Sequence, residues 1–267
     1  MNLFLGLDIQ LMLEAVPLIL LIALSAWLVS LVIEDIRIID YLWSPMLLVS
    51  ALVYAYQIGF EISLNTVNLV FLLMLAVWAL RLSAFLLLRG RNLGEERRYK
   101  AMRQKLSPNF AIKSLFNVFL FRALLIWILS SLFAIALGSG ASLSWNYWHT
   151  AGAALWMAGF TMEVLADLQL YRFNQLVLRD SETLSSGLWR YSRHPNYFGD
   201  SAVWWAYALL SIAAGSYWQI IGSIIMTLLI IKVSGVALLE KTLYKSKPQY
   251  KEYIEKTNSF FPWFPKK

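Results

Sequence analysis

The chain has 267 residues, 59% of them hydrophobic and 15% charged, with twelve Trp and no Cys; a soluble domain usually carries about 25% charge. That balance excludes an ordinary soluble domain and points to a polytopic membrane protein. Without cysteine there is no disulfide, thiolate nucleophile or thiolate metal site, and His149 and His194 alone do not make a metal centre, so no metal is expected.

A helix needs about 20 apolar residues to cross about 30 Å of hydrocarbon. Apolar runs of that kind fall near 15–33, 41–60, 66–88, 114–137, 147–168, 199–214 and 217–239. The expected fold is therefore all-α: one domain over 1–267, a transmembrane helical bundle of about seven spans, with six as the alternative. The first basic residue is Arg37, so the leading run lacks the positive segment of a cleaved secretory signal and reads as a retained span. Only Gly215-Ser216 separates the sixth run from the seventh, which predicts a tight helical hairpin. In the tail, Leu243, Tyr250, Tyr253 and Ile254 space one side of an amphipathic helix interrupted by Pro248, suited to packing under the membrane domain or at the headgroups. Phe260-Phe-Pro-Trp-Phe-Pro265 reads as an interfacial aromatic stop.

Lysine and arginine set the orientation, because basic loops stay on the cytoplasmic side. Eight basic residues lie between Arg89 and Lys113, four between Arg172 and Arg193, and seven from Lys241 to Lys267, while the loops at 59–65, 138–146 and 215–216 have none. The carboxyl terminus is thus expected in the cytoplasm and, with seven spans, the amino terminus outside. The net charge of +7 is then mostly a topology signal with some attraction to membrane lipids, and nucleic acid is not an expected partner.

The ionisable groups in or beside the apolar runs are Glu34, Asp35, Arg37, Asp40, Arg81, Arg122, Glu163, Asp167, Lys232 and Glu240, and such groups are expensive in a bilayer unless they pair or bind something. Glu163 and Asp167 are four residues apart and share a helix face, where they need a cation or donors opposite; Arg172 or Arg193 is the expected source. The bland reading of these carboxylates is an internal salt-bridge lattice. For Arg81 and Arg122 it is snorkelling to the interface.

The segment Gly187-Leu-Trp-Arg-Tyr-Ser-Arg-His-Pro-Asn-Tyr-Phe-Gly-Asp200 concentrates the chemistry. Gly187 allows a turn and Pro195 suits a first helical turn, so a helix is expected to open near Asn196. Its free amides and dipole favour an anion, and Arg190 and Arg193 are placed to grip phosphate. Asp200 is a candidate acceptor for a ribose or amide group, and Tyr197 and Trp189 offer stacking faces, with ordinary interfacial anchoring as the other reading of Trp189. No glycine-rich dinucleotide fingerprint follows a strand, which excludes a Rossmann domain and leaves any nucleotide to bind between helices.

That segment, with Asp167-Leu-Gln-Leu-Tyr-Arg172 before it and Ser234-Gly-Val-Ala-Leu-Leu-Glu-Lys241 and Tyr250-Lys-Glu-Tyr253 after it, resembles the steroid 5-alpha-reductase-like membrane reductases in their bacterial branch (DUF1295). The resemblance spans nearly the whole chain, is strongest over 163–265 and extends more weakly to Ile39-Asp-Tyr-Leu-Trp43, Trp78-Ala-Leu-Arg-Leu82 and Glu95-Glu-Arg-Arg-Tyr99. It implies a protein of the bacterial inner membrane that uses NADPH to reduce a carbon–carbon double bond conjugated to a carbonyl in a steroid-like or isoprenoid-like lipid, with no protein partner. It further implies a substrate half over 1–145 and a cofactor half over 146–267. The family motifs place the cofactor against Asp167, Arg172, Asn196, Asp200, Glu240 and Tyr244, to which the local reading adds Arg190, Arg193, His194 and Tyr197. Trp78 stands where the animal steroid enzymes use a tyrosine and has no acidic hydroxyl, which moves the expected proton-donating site to Asp40, with Tyr41 or Tyr54.

The Arg-His-Pro-x-Tyr-x-Gly core also occurs in isoprenylcysteine carboxyl methyltransferases, so a SAM-dependent membrane methyltransferase is the alternative. Those enzymes commonly carry two adjacent glutamates at Leu239-Glu240 and lack an acid after the motif's final glycine; the single glutamate and Asp200 favour the reductase. A small lipid transporter is the third possibility, set back by the absence of inverted repeats and by polar groups crowded toward one side.

Overall fold

The structure, a computed structural model, describes residues 9–59, 65–90, 107–138, 144–176, 182–234, 236, 240, 243–244 and 249–266. Among the described residues every regular element is helical. In hydrocarbon a helix satisfies its backbone within one segment, so long apolar runs resolve this way. Among the described residues five helices are long and apolar enough to cross a membrane: Ile9–Val32, Ile38–Ile58, Thr66–Gly90, Phe110–Gly138 and Tyr147–Gln175. The chain divides into two compact units, Met1–Trp145 with Ser211–Trp218, and Asn146–Leu210 with Gln219–Lys267.

The first unit contains α1 (Ile9–Glu14), α2 (Val16–Val32), α3 (Ile38–Ile58), α4 (Thr66–Gly90) and α5 (Phe110–Ser114), which passes through a π-helical turn at Leu115–Leu120 into α6 (Phe121–Gly138). The central helix is α3, packed along α4 and α6, with α2 against α3 and the π turn. Met46, Leu47, Tyr54, Trp78, Phe119 and Phe133 are fully buried there, while Leu21, Leu28, Leu73 and Leu80 stand exposed. An outer surface of leucine is a liability in water and the expected exterior in lipid. Polar side chains inside turn to backbone carbonyls: Ser44 Oγ donates to Ala79 O at 2.8 Å and Trp127 Nε1 to Met12 O at 3.0 Å. Asn65 caps α4 by accepting the Asn68 amide at 3.0 Å.

The second unit holds α7 (Tyr147–Leu176), a 3-10 turn (Gly187–Arg190), α8 (Pro195–Ala213) up to Leu210, α9 (Ile220–Leu228) with a π turn after it (Leu229–Ser234), and α10 (Tyr250–Lys256). Asn146 caps α7, its Oδ1 accepting from Trp148 N at 2.9 Å and His149 N at 3.2 Å, while Asn146 N donates back to His149 Nδ1 at 3.1 Å. His149 is thereby a capping group.

Small residues let α7 and α8 run antiparallel at close range. A Cβ added at Gly199 would sit 2.6 Å from Glu163 N and from Gly159 O, and one at Gly159 would sit 2.8 Å from Gly199 O and from Ala202 Cβ. This small-residue contact is the usual way membrane helices approach.

The sixth expected run lies within α8. The turn after it uses Gly215 at φ +91°, with Gly215 N bonded to Ile212 O and Ser216 N to Ser211 O. The seventh run is represented by the short apolar helix Ile220–Lys232. Pro248 and Glu95-Glu-Arg-Arg-Tyr99 lie outside the described residues, as does most of the loop 89–113.

Candidate functional site

The helix expected near Asn196 begins at Pro195. Gly187, at φ +61°, turns the chain into it, a conformation that a side chain resists and that places Gly187 against Gln169 of α7. Gln169 Oε1 then accepts from Leu188 N at 3.0 Å and Trp189 Nε1 donates to Ala166 O at 3.1 Å, so the loop is sewn to α7. Trp189, buried and bonded in this way, is a packing residue and not a stacking face open to a ligand.

Along the α7–α8 contact runs a row of polar groups. At its mouth Asn196 Nδ2 donates to Asp167 Oδ1 at 3.0 Å. That bond fixes the orientation of the amide and turns Asn196 Oδ1 the other way, where it is buried without a hydrogen-bond partner. At the far end Trp156 Nε1 donates to Tyr207 Oη at 3.1 Å. Glu163 on α7 and Asp200 on α8 lie between along the same two helix faces. Glu163 and Asp167 are 2% and 3% exposed, so these carboxylates are held in the apolar interior rather than solvated. Sequence reasoning had named the carboxylates and Asn196 but missed Trp156 and Tyr207. The signal was present: Asn196, Asp200 and Tyr207 share one face of α8, as Asp167, Glu163 and Trp156 share one face of α7.

Arg193 corrects the expectation of a phosphate clamp, because its donors are taken by the chain itself. Its Nε and Nη2 each lie 2.8 Å from Glu240 Oε1, and Nη1 donates to Ile254 O at 3.1 Å and to Thr257 O. The backbone joins the same contact: Arg193 N bonds Asn258 O, which sets the residue against the tail. Ser259 Oγ donates to the same Glu240 oxygen at 3.0 Å and His194 Nε2 stands 3.3 Å from it. Burial by itself would raise the Glu240 carboxyl, but His194, Arg193 and Ser259 outweigh it and hold it down at about 2. Tyr253 adds a hydroxyl donated to Trp189 O and, at 3.3 Å, to Ser192 O. The tail is thus anchored on the loop by a charged clamp.

Among the other expected cofactor residues, Arg172 and Arg190 have exposed side chains, Tyr197 stacks on His194 with ring centroids 5.7 Å apart, and Tyr244 is exposed with Lys251 Nζ over its ring at 5.3 Å. Among the described residues, Arg172 and Arg190 are exposed cations on α7 and on the loop that precedes α8.

In the first unit Asp40 of α3 pairs with Arg122 of α6 at 2.5 Å, and Arg122 also lies over the Trp43 ring at 5.7 Å. Arg122 does not snorkel; it is fixed between an acid and an indole just after the π turn. Arg81 lies over the Phe85 ring at 5.3 Å. Tyr41 packs its hydroxyl against Gly90, and its carbonyl accepts from Ser83 Oγ at 2.7 Å. Tyr54 is 0% exposed and bonds Ser130 Oγ at 2.7 Å; Ser130 donates to Trp127 O, so Tyr54 donates its own proton to Ser130. Fourteen residues separate Asp40 from Tyr54 on one helix, a rise of about 21 Å. The structure does not bring these two together, whereas Tyr41 adjoins Asp40. Nearby, Arg37 chelates Asp35 at 2.6 Å and reaches Gly90 O at 3.2 Å, tying the α2–α3 turn to the end of α4.

An open apolar groove of about 570 Å³ runs along another face of α7, lined by Ala154, Met157, Ala158, Thr161, Met162, Leu165 and Leu188. It accommodates hydrocarbon and does not include the polar row. Among the described residues no group of His, Asp or Glu is arranged to hold a metal ion.

The family model described as "Protein of unknown function (DUF1295)" matches residues 26–257. An uncharacterized protein of Schizosaccharomyces pombe is 27% identical over 263 residues, covering 88% of this chain and 75% of the relative. No solved structure matches the chain.

Proposed function

The chain belongs to the DUF1295 family, and on that premise we propose that its second unit holds NADPH and that the protein reduces a conjugated carbon–carbon double bond in a steroid-like or isoprenoid-like membrane lipid. The observation that carries this reading is Asn196: its amide is fixed by Asp167, and its Oδ1 is a buried acceptor without a hydrogen-bond partner. A buried acceptor left unmet costs about 1–3 kcal/mol, which a ligand N–H or O–H recovers. Ribose hydroxyls and the nicotinamide amide are such donors. A row of carboxylates repels phosphate, so the diphosphate belongs at the rim with Arg172 and Arg190 rather than at Arg193.

When bound, NADPH would supply the hydride to one carbon of the double bond, and the other carbon would take its proton from water. Asp167 orients Asn196, Asp200 accepts from the sugar or amide, and the Arg193–Glu240 clamp holds the loop that carries Asn196. The same reading assigns the protein to a bacterial cytoplasmic membrane, with seven spans, the amino terminus outside and the carboxyl terminus inside.

Titration of the purified protein with NADPH tests it. Saturable binding, weakened about tenfold or more by Asn196→Ala, is expected. Selective binding of S-adenosylmethionine would replace reduction by methyl transfer, and binding of neither cofactor, with lipid flux in vesicles, would replace it by transport.

A further inference from the structure

The last ten described residues form an extended strap that is both firmly held and conspicuously greasy. Trp263 N bonds Tyr191 O at 3.0 Å, Lys266 N bonds Lys256 O at 2.8 Å, and Ser192 Oγ bonds Phe260 O at 2.8 Å, so both edges of the strap are fastened. Yet Phe261, Trp263 and Phe264 are 71%, 70% and 73% exposed. A short segment that spends backbone bonds to hold three large aromatic rings outward has a surface made for contact.

Its depth follows from Phe198, in the first turn of α8. Phe198 meets the rings of Phe260 and Phe261 edge-on, at 5.7 and 5.8 Å between centroids. The apolar run expected as the sixth span begins at 199, one residue after Phe198, so the strap packed on Phe198 lies at the polar end of that run. Charge completes the pattern, since the exposed Lys266 ends the strap and the exposed Arg190 precedes Tyr191, while Lys256 beside Lys266 is paired with Glu252 at 2.7 Å. Exposed Trp and Phe with a cationic edge match an anionic lipid surface, where the rings enter the interface and the cations meet phosphate.

We propose that Phe261, Trp263 and Phe264 form an interfacial anchor that inserts into the headgroup region of an anionic bilayer and thereby docks the loop 187–194 on the membrane surface. Neither the reductase reading nor any cofactor is needed for this contact, so each stands or fails by itself.

The natural chain has no cysteine, so single-cysteine labels report without background. Trp263→Cys, Phe264→Cys and, as a reference in the charged helix α10, Glu255→Cys are labelled with an environment-sensitive fluorophore in the full-length protein and reconstituted into vesicles of phosphatidylglycerol and phosphatidylcholine. Labels at 263 and 264 should emit to the blue of the label at 255. Lipids brominated near the headgroup should quench them at least about twofold more strongly, and aqueous iodide less. Removing phosphatidylglycerol should weaken the lipid quenching. Equal iodide access at all three positions would overturn the proposal, as would burial of 263 and 264 against a second copy of the chain, seen as disulfide cross-linking between Phe264→Cys molecules. Two independent label sites guard against one variant that fails to fold.

Discussion

Asp40 and Arg122 in the first unit, and Asp167 and Asn196 in the second, are both polar pairs set among apolar helices, yet they are built differently. The first joins full opposite charges at 2.5 Å, with an indole beneath the guanidinium. The second joins a buried carboxylate to a neutral amide and leaves that amide's oxygen buried and unmet. A charge matched in place satisfies itself; a half-satisfied group in low dielectric is a cost that persists unless something arrives to fill it. The tail clamp is a third case: Arg193 has the residue type of an anion site, but four acceptor contacts from its own chain make it a staple. What separates a binding group from a structural one in this protein is the state of its partners, not its charge.

Mutation distinguishes the cases, starting with the largest effects. Removing one partner of the closed pair, by Arg122→Met, should destabilise the protein in detergent by about 3 kcal/mol, whereas adding Asp40→Leu to it should restore most of the loss. The double variant is expected to be folded and to bind NADPH; a double variant as unstable as the single one would show that the pair is not self-contained. In the second unit Gly199→Leu drives a side chain into the backbone of α7 and should cost about 3 kcal/mol, read as a lower melting temperature. Arg193→Ala strands Glu240 and frees the tail, for which about 2 kcal/mol and faster proteolysis within 250–266 are expected. Asn146→Ala, the loss of a cap, should cost only about 1 kcal/mol.

The clamp also makes a statement about acid. The Glu240 carboxyl is lowered from 4.5 to about 2, so its contribution is fully present above pH 4.5 and fades as pH falls toward 2. Hydrogen exchange in residues 250–258 should speed up across that window in the wild type and be already fast, without further change, in Glu240→Gln.

The sequence made the apolar runs legible because a bilayer demands length and composition that few other settings require. Gly187 and Pro195 likewise marked a turn and a helix start through local backbone chemistry. Helix ends were less legible: the fifth run was expected to end near 168, but α7 continues to Leu176, since its last turns are held by Gln169 and the loop and not by hydropathy. The partner of Arg193 was illegible. It depends on Glu240 and on carbonyls at Ile254 and Thr257, some 47 to 64 positions away, and local spacing carries no trace of a loop folding back under a tail. Trp156 and Tyr207 hid for a related reason, because an aromatic in a membrane helix looks the same whether it faces lipid or a buried acid.

Asn196 offers the most direct measurement. Isothermal titration of NADPH into the purified wild type and Asn196→Ala, paired with their melting temperatures without cofactor, separates a ligand contact from a structural one. A drop in affinity of about tenfold or more with melting temperatures nearly equal is the expected result. Unchanged affinity, or a loss of stability large enough to explain the weaker binding, would contradict the assignment of this row of groups to a cofactor.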